Sequence, residues 1–302
     1  MEIPREFQCS INLASNGALS NESRLAATED YSAVHLDLAQ PRLGLGEDEA
    51  QLLLVDADTI IHSAADFSFL KAYEALRNVS VGSTRELRGS LHRSDALRVT
   101  ASVGAVLIVA VGSDDLGVVP VLEPESLAGH RADSVDGYIA SKRVSKVLFE
   151  KAAGQIGLPV RIYRPSRITW PNAPTLDIVH SILIISREMG TLPNMTGWSG
   201  SFDFVSAGKV ADEVVRGIKE APKPGAPDYS HPAGELVVPV TDIVKYLERE
   251  KGYRYHEVDR ATWVQKVGSE HSMSELVAGY LSQILEEGGM SIFPRLRSMA
   301  GI

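Results

Sequence analysis

The sequence predicts an α/β fold: a parallel sheet with helices on both faces, and a small, mostly helical part at the C-terminal end. Three observations predict it. Ala105–Val111 (AVLIVAV) is seven apolar residues in a row, the pattern of a central parallel strand buried on both faces. Strand-like and helix-like runs alternate before and after it, as strand–helix–strand units require. A Pro- and Gly-rich stretch, Ala221–Asp228 (APKPGAPD), then marks a linker. This divides the chain into residues 1–220 and 221–302.

In chain order, Phe7–Leu13 alternates like a strand and Ser15–Ser23 reads as a loop. Ser32–Leu38 is a second strand candidate, stopped at Gln40–Pro41. Glu47–Val55 carries acidic residues in its first turn, where the helix dipole favours them. Asp58–His62 (DTIIH) is a compact apolar strand followed by the small residues Ser63, Ala64 and Ala65. Helices are expected over Leu70–Leu76 and Thr84–His92, with a break at Ser80–Ser83, and again over Gly137–Ala153. Leu158–Tyr163 is the next strand, ended by Arg164–Pro165. Beyond the linker come a strand at Glu235–Val240, a helix at Thr241–Arg249 with Thr241 as N-cap, and a helix at Ser272–Leu285.

Composition narrows the function classes. A formal charge of −9 argues against broad binding to nucleic acid or anionic membrane, which needs clustered Lys and Arg. No apolar run reaches the roughly 18–20 residues of a membrane span. With Cys9 as the one cysteine there is no internal disulfide, and a reducing, cytoplasmic setting is the expectation. The opening MEIPREFQCS lacks the basic and apolar segments of a secretory signal.

The sharpest local feature is Asp136-Gly137-Tyr138-Ile139-Ala140-Ser141-Lys142. A Tyr and a Lys four apart on a helix share one face, and an ammonium nearby lowers the phenol's pKa towards the range useful for proton transfer. In a chain with nine tyrosines such a spacing is weak on its own. Its setting, a helix opening after a buried strand, strengthens it. Ser113, just past that strand, either supplies a hydroxyl beside Tyr138 or belongs to a solvated turn with Asp114 and Asp115; the residues leave both readings open.

Several ordered motifs then point one way. Leu36–Leu45 (LDLAQPRLGL) is similar to the "GDL…P.LGL" segment of carrier-protein thioester reductases. Ile60–Asp66 with Ser68–Phe69 is similar to "HSGADRSF", and Leu76-Arg77 through Val81–Thr84 to "LR..NVGST". Asp136–Lys142 matches "DGYVASK" and Leu158–Ser166 matches "LPVYIHRPS"; the likeness continues through Gly197–Val205, Gly234–Val240 and Gly288–Leu296. The chain thus resembles, from about residue 7 to 297, the terminal reductase domain of fungal polyketide–nonribosomal peptide synthetases. That family belongs to the extended short-chain dehydrogenases, with a Rossmann-like sheet.

The resemblance implies NADP(H) as cofactor and a carrier-protein-bound polyketide–peptidyl thioester as substrate. It implies Tyr138 as proton donor, Lys142 as the cation that positions it and the nicotinamide ribose, and Ser113 as second hydroxyl. Asp37 falls where the family contacts adenine, and Ala64 and Ala65 fall on the cofactor loop. Reduction to an aldehyde is the first activity implied. A cofactor-free Dieckmann closure and a non-catalytic module docking on a carrier domain or sister synthetase are the alternatives.

Departures bear on the choice. Family members begin with a strand and a Gly-rich turn of the "TGATGFLG" kind, which places the pyrophosphate at a helix N-terminus. This sequence carries no such segment; Phe7–Leu13 is similar to the family's second strand, and Leu13 falls near its phosphate-reading Arg. Ser80 stands where the family has Asn, and Ala110–Ser113 corresponds to its "VSSGG". The expectation is a sheet without its first strand, whose slot another segment fills unless the chain is part of a longer or split protein.

Weaker signals have blander readings. His62 beside an apolar strand reads as packed, and the eight histidines show no metal-ligand spacing. Asp203 reads as facing a loop, and the stripe Ile178, Ile182, Ile185 as core or a cleft wall. No nucleophile elbow supports an acyl-enzyme.

Overall fold

The computed structural model describes residues 36–50, 59–63, 66, 71–91, 98–102, 137–169, 178–196, 201–220, 222–234, 236–252 and 254–270. Nine strands lie within them: β1 (Thr59–His62), β2 (Arg98–Ser102), β3 (Val160–Tyr163), β4 (Arg167–Thr169), β5 (Thr191–Pro193), β6 (Ser201–Ser206), β7 (Asp228–Ser230), β8 (Leu236–Pro239) and β9 (His256–Val258). The helices are α1 (Tyr73–Leu76), α2 (Ser83–Leu91), α3 (Gly137–Ile156), α4 (Ile178–Met189), α5 (Ala207–Lys219), α6 (Ile243–Lys251) and α7 (Arg260–Glu270).

The main sheet runs β1-β2-β3-β7, parallel throughout. Parallel neighbours need crossovers, and helices on the crossovers cover the sheet. Val160, Ile162 and Tyr163 of β3 are all buried, as a strand covered on both faces requires. The predicted α/β class with a parallel sheet is therefore what forms.

Several details differ from the sequence reading. The strand between β1 and β3 is Arg98–Ser102, in register Ile60↔Val99 on one side and Val99↔Val160 on the other. The run Ala105–Val111 lies outside the described residues, as do Phe7–Leu13, Ser15–Ser23 and Ser272–Leu285. No break separates α1 from α2: a π-helical turn, Arg77–Gly82, joins them into one continuous path. A π turn absorbs an extra residue without ending the helix, which is why the Ser- and Gly-containing stretch looked like a stop. Asp242, the last residue of a short 3₁₀ turn (Val240–Asp242), caps α6 in place of Thr241, and it does so without a side-chain hydrogen bond.

A second core is assembled from both sides of residue 221. Ile182 and Ile185 of α4 pack with Leu192, Phe202, Val238, Ile243, Trp263 and Val267. The isoleucine stripe is thus core at these two positions. Two smaller sheets frame it, β4-β6-β8 and β5-β9. The buried Trp263 indole donates to the Thr191 carbonyl at 3.3 Å, so its polar edge is satisfied. Strand β7 comes after the Pro-rich stretch yet pairs with β3 in the main sheet, Arg161↔Asp228 to Tyr163↔Ser230.

Candidate functional site

Helix α3 carries the site. Its 20 residues stop at Gly157, which adopts φ +67°, a left-handed turn that glycine takes without strain. Phe149, Ala152 and Ala153 on its inner face are buried, and they fasten the C-terminal half.

The N-terminal end is fixed by close approach. A Cβ on Gly137 would lie 2.2 Å from the Lys71 carbonyl oxygen and 2.5 Å from the Tyr73 nitrogen. The first turn of α3 therefore sits directly against the backbone that opens α1, and only glycine permits it. This gives the Gly of the Asp-Gly-Tyr motif a physical reason. Lys71, just before α1, is ion-paired with the mostly buried Asp66 at 2.6 Å.

Tyr138 and Lys142 follow one turn apart, and both are buried. The Lys142 ammonium stands 5.6 Å from the centroid of the Tyr138 ring, within cation–π range. Burial pushes the Lys142 pKa down to about 8, because a charged ammonium loses its hydration there. No carboxylate pairs with it among the described residues. Lys146, one turn further on, differs: it is ion-paired with Glu150 at 3.0 Å.

His62, at the end of β1, faces the same region. Burial first, and the Lys142 charge second, push its pKa down to about 4. Its ring lies 6.2 Å from that of Phe149, and its Nε2 is 3.5 Å from the Thr84 hydroxyl. It is a packed, neutral histidine at physiological pH.

The turn at Ser80 closes the site from the other side. The Ser80 carbonyl accepts hydrogen bonds from Thr84 Oγ1 at 2.9 Å and Ser145 Oγ at 3.0 Å, and a longer one from Ser83 Oγ at 3.3 Å. The Ser80 hydroxyl itself is buried and has no partner among the described residues. Sequence reasoning singled out this position only as a departure from Asn. The convergence of hydroxyls on its backbone depends on two helices meeting and leaves no sequence signature.

The remaining predicted residues separate. Asp37 is exposed; its Oδ1 takes the Ala39 N–H at 2.9 Å, making a local turn. Ala64, Ala65, Ser113 and the pair Asp114–Asp115 lie outside the described residues. Ser102 now ends the strand between β1 and β3, opposite Tyr163 in the ladder. In parallel sheets of this kind ligands gather at the carboxyl ends of the strands, the end of the sheet at which His62 closes β1. Asp203 is buried in β6, where its Oδ1 accepts the Gly234 N–H at 2.7 Å and the Ser166 hydroxyl at 3.2 Å. It braces the 231–234 loop. No group of three or more His, Cys, Asp or Glu among the described residues is placed to hold a metal, and no helix among them is long and apolar enough to cross a membrane.

Comparison with known proteins accords with this geometry. The NAD-binding family model described as male sterility protein matches residues 10–214. The chain is 38% identical over 291 residues to the polyketide synthase–nonribosomal peptide synthetase hybrid himA of Aspergillus japonicus, covering 91% of this chain and 7% of that protein. It is 36% identical over 266 residues to fusarin C synthetase of Gibberella moniliformis, covering 87% of this chain and 6% of that protein. The chain thus spans less than a tenth of these relatives' length. Among solved structures, the terminal R domain of the myxalamid polyketide–peptide pathway superposes with a TM-score of 0.68 at 28% identity, over 88% of this chain and 67% of that one. With a family model over most of its length and synthetase relatives above 30% identity, the chain belongs to the NAD-binding male sterility protein family and is homologous to the terminal reductase domains of polyketide–nonribosomal peptide synthetases of secondary metabolism, with an extended short-chain dehydrogenase fold.

Proposed function

We propose that this chain releases a carrier-bound polyketide–peptidyl thioester by reduction, with Tyr138 as proton donor and Lys142 as the cation beside it. The observation that carries the proposal is the buried lysine, paired with no carboxylate among the described residues, set against the ring of a buried tyrosine one helical turn earlier. Among the described residues, a lysine held this way has no ion-pair partner of its own to satisfy. Its charge favours the tyrosinate form, which makes Tyr138 a better proton donor to a developing oxyanion.

Lys142 at the nicotinamide ribose and Asp37 at the adenine are the residues that would hold NADPH, and both are compatible with that use. Asp37 is exposed, with one carboxylate oxygen engaged locally; the pyrophosphate end has no Gly-rich turn in the sequence. NADPH, when bound, supplies the hydride. The chain's own part is to hold the thioester carbonyl near Tyr138. As the carbonyl carbon becomes tetrahedral, its oxygen takes the Tyr138 proton; collapse of the hemithioacetal then expels the carrier thiol and leaves an aldehyde. Ser113 is proposed as the second donor hydroxyl, on the family resemblance alone.

A second reading is Dieckmann closure without cofactor, in which a carbanion of the substrate attacks its own thioester carbonyl and expels the same thiol. That reaction uses the same oxyanion donor. The test is incubation of the protein with a carrier-tethered β-ketoacyl aminoacyl thioester, with and without NADPH, followed by mass spectrometry. Aldehyde that depends on NADPH supports reduction, and tetramic acid without NADPH supports closure. A Tyr138→Phe change should slow either by about 10²–10⁴-fold. Neither product from the folded protein would leave only the docking module.

A further inference from the structure

We propose that Ser145 is a positioning residue for the Tyr138–Lys142 pair: its hydroxyl, donated to the Ser80 carbonyl, locks the helix carrying the pair onto the π-helical turn. The inference rests on the reading of Tyr138 and Lys142 as the working pair, and deepens it.

Ser145 lies three residues after Lys142 and seven after Tyr138, on the same helical face. All three are buried. Its bond to Ser80 spans 65 positions of sequence at 3.0 Å. The other two donors stay at home: Thr84 bonds the carbonyl four residues back, and Ser83 bonds Val79 at 2.6 Å more closely than Ser80. Ser145 is the donor that reaches in from α3. Ser145 donates to the Ser80 carbonyl, and the Ser80 hydroxyl has no partner among the described residues, so the link runs through the backbone of the turn.

A π turn is well suited to this use. Its widened ring tilts carbonyls away from the helix axis, where a hydroxyl from a neighbouring helix can meet them. Gly137 presses the start of α3 against the 71–73 backbone, so Ser145 supplies a second fixed point two turns on. Tyr138 and Lys142 lie between the two. A slide of one residue along the helix is about 1.5 Å, enough to change the ammonium–ring distance and the burial of Lys142.

The groups around Lys142 make it a usable reporter. Among the described residues, Tyr138 and, one turn the other way, the Glu150-paired Lys146 flank it on its own helix, and His62 on β1 faces it. On the other elements packed against α3, Glu86 takes the Arg42 amide, Arg161 pairs with Asp228, and Glu74 is exposed.

The experiment is competitive acetylation of the full chain between pH 6 and 11, with Lys142 followed in its peptide by mass spectrometry. In the unaltered protein Lys142 should titrate near 8, below an ordinary lysine. Ser145→Ala should move that midpoint towards the ordinary value and slow labelling at pH 8 several-fold, and Ser145→Thr should restore it. Ser83→Ala removes an equally buried hydroxyl that bonds within its own helix, and should leave the midpoint unchanged. An unmoved midpoint in Ser145→Ala, or an equal shift in Ser83→Ala, overturns the proposal. Should the alanine variant not fold, Ser145→Cys keeps the volume with a weak donor and is read by the same criterion. No substrate or cofactor enters this measurement, so its outcome is separate from that of the release assay.

Discussion

Replacing Lys142 by methionine should make the protein more stable while removing its proposed activity. Lys142 is buried, and its pKa is pushed down from 10.5 to about 8. One pKa unit corresponds to about 1.4 kcal/mol, so holding the charged form in the fold costs about 3 kcal/mol at neutral pH. The sign follows from proton counting. Below pH 8 both folded and unfolded chains carry the proton and the full cost applies. Between about 8 and 10.5 the unfolded chain keeps a proton that the folded chain has released, so stability rises with pH. Above 10.5 both are neutral and the cost is gone. Methionine fills a similar volume with no charge to desolvate. Lys142→Met should therefore gain about 2–3 kcal/mol at pH 7, measured by urea unfolding, and that advantage should shrink steadily towards pH 10.5. A variant less stable than the parent at pH 7, or an advantage that does not change with pH, would refute the reasoning. A residue that destabilises its own fold is expected where charge serves chemistry.

Gly137→Ala should be strongly disruptive, because its Cβ meets backbone atoms at 2.2–2.5 Å that no side-chain rotation can relieve. A loss of about 1–3 kcal/mol or more in urea unfolding is expected, with impaired release activity, since Tyr138 is the next residue. His62 should contribute to acid sensitivity. Its folded pKa of about 4 lies below the unfolded 6.5, so the unfolded chain binds the extra proton first, and stability falls as pH drops from 6.5 towards 4. The loss is at most about 3 kcal/mol, and less because the residue is only partly buried. His62→Gln should flatten the stability profile across that window.

Local chemistry made the class of the fold and the proximity of Tyr138 and Lys142 legible. Tyr138 and Lys142 are four apart on one helix, so their contact follows from helical pitch and needs no tertiary information. The strands at Thr59–His62 and Val160–Tyr163 were visible because β-branched and apolar residues fit a sheet covered on both faces. Ser102 was not, because a five-residue strand with Arg, Thr and Ser in it competes poorly with seven consecutive apolar residues in any pattern-based reading. The π turn was misread as a break for a related reason: what keeps Arg77–Gly82 helical is bonding to its own and a neighbouring helix, and the Ser145 part of that bonding comes from 65 positions away. The second core likewise gathers α4, β6 and residues beyond 236 across the Pro-rich stretch. The sequence by itself determined which residues share a helical face and which strands suit a buried sheet, since both follow from short-range periodicity. Only the tertiary structure decided why Gly137 must be glycine, what the Ser80 carbonyl binds and which strand lies beside β3, because each depends on segments far apart in the chain competing for the same space.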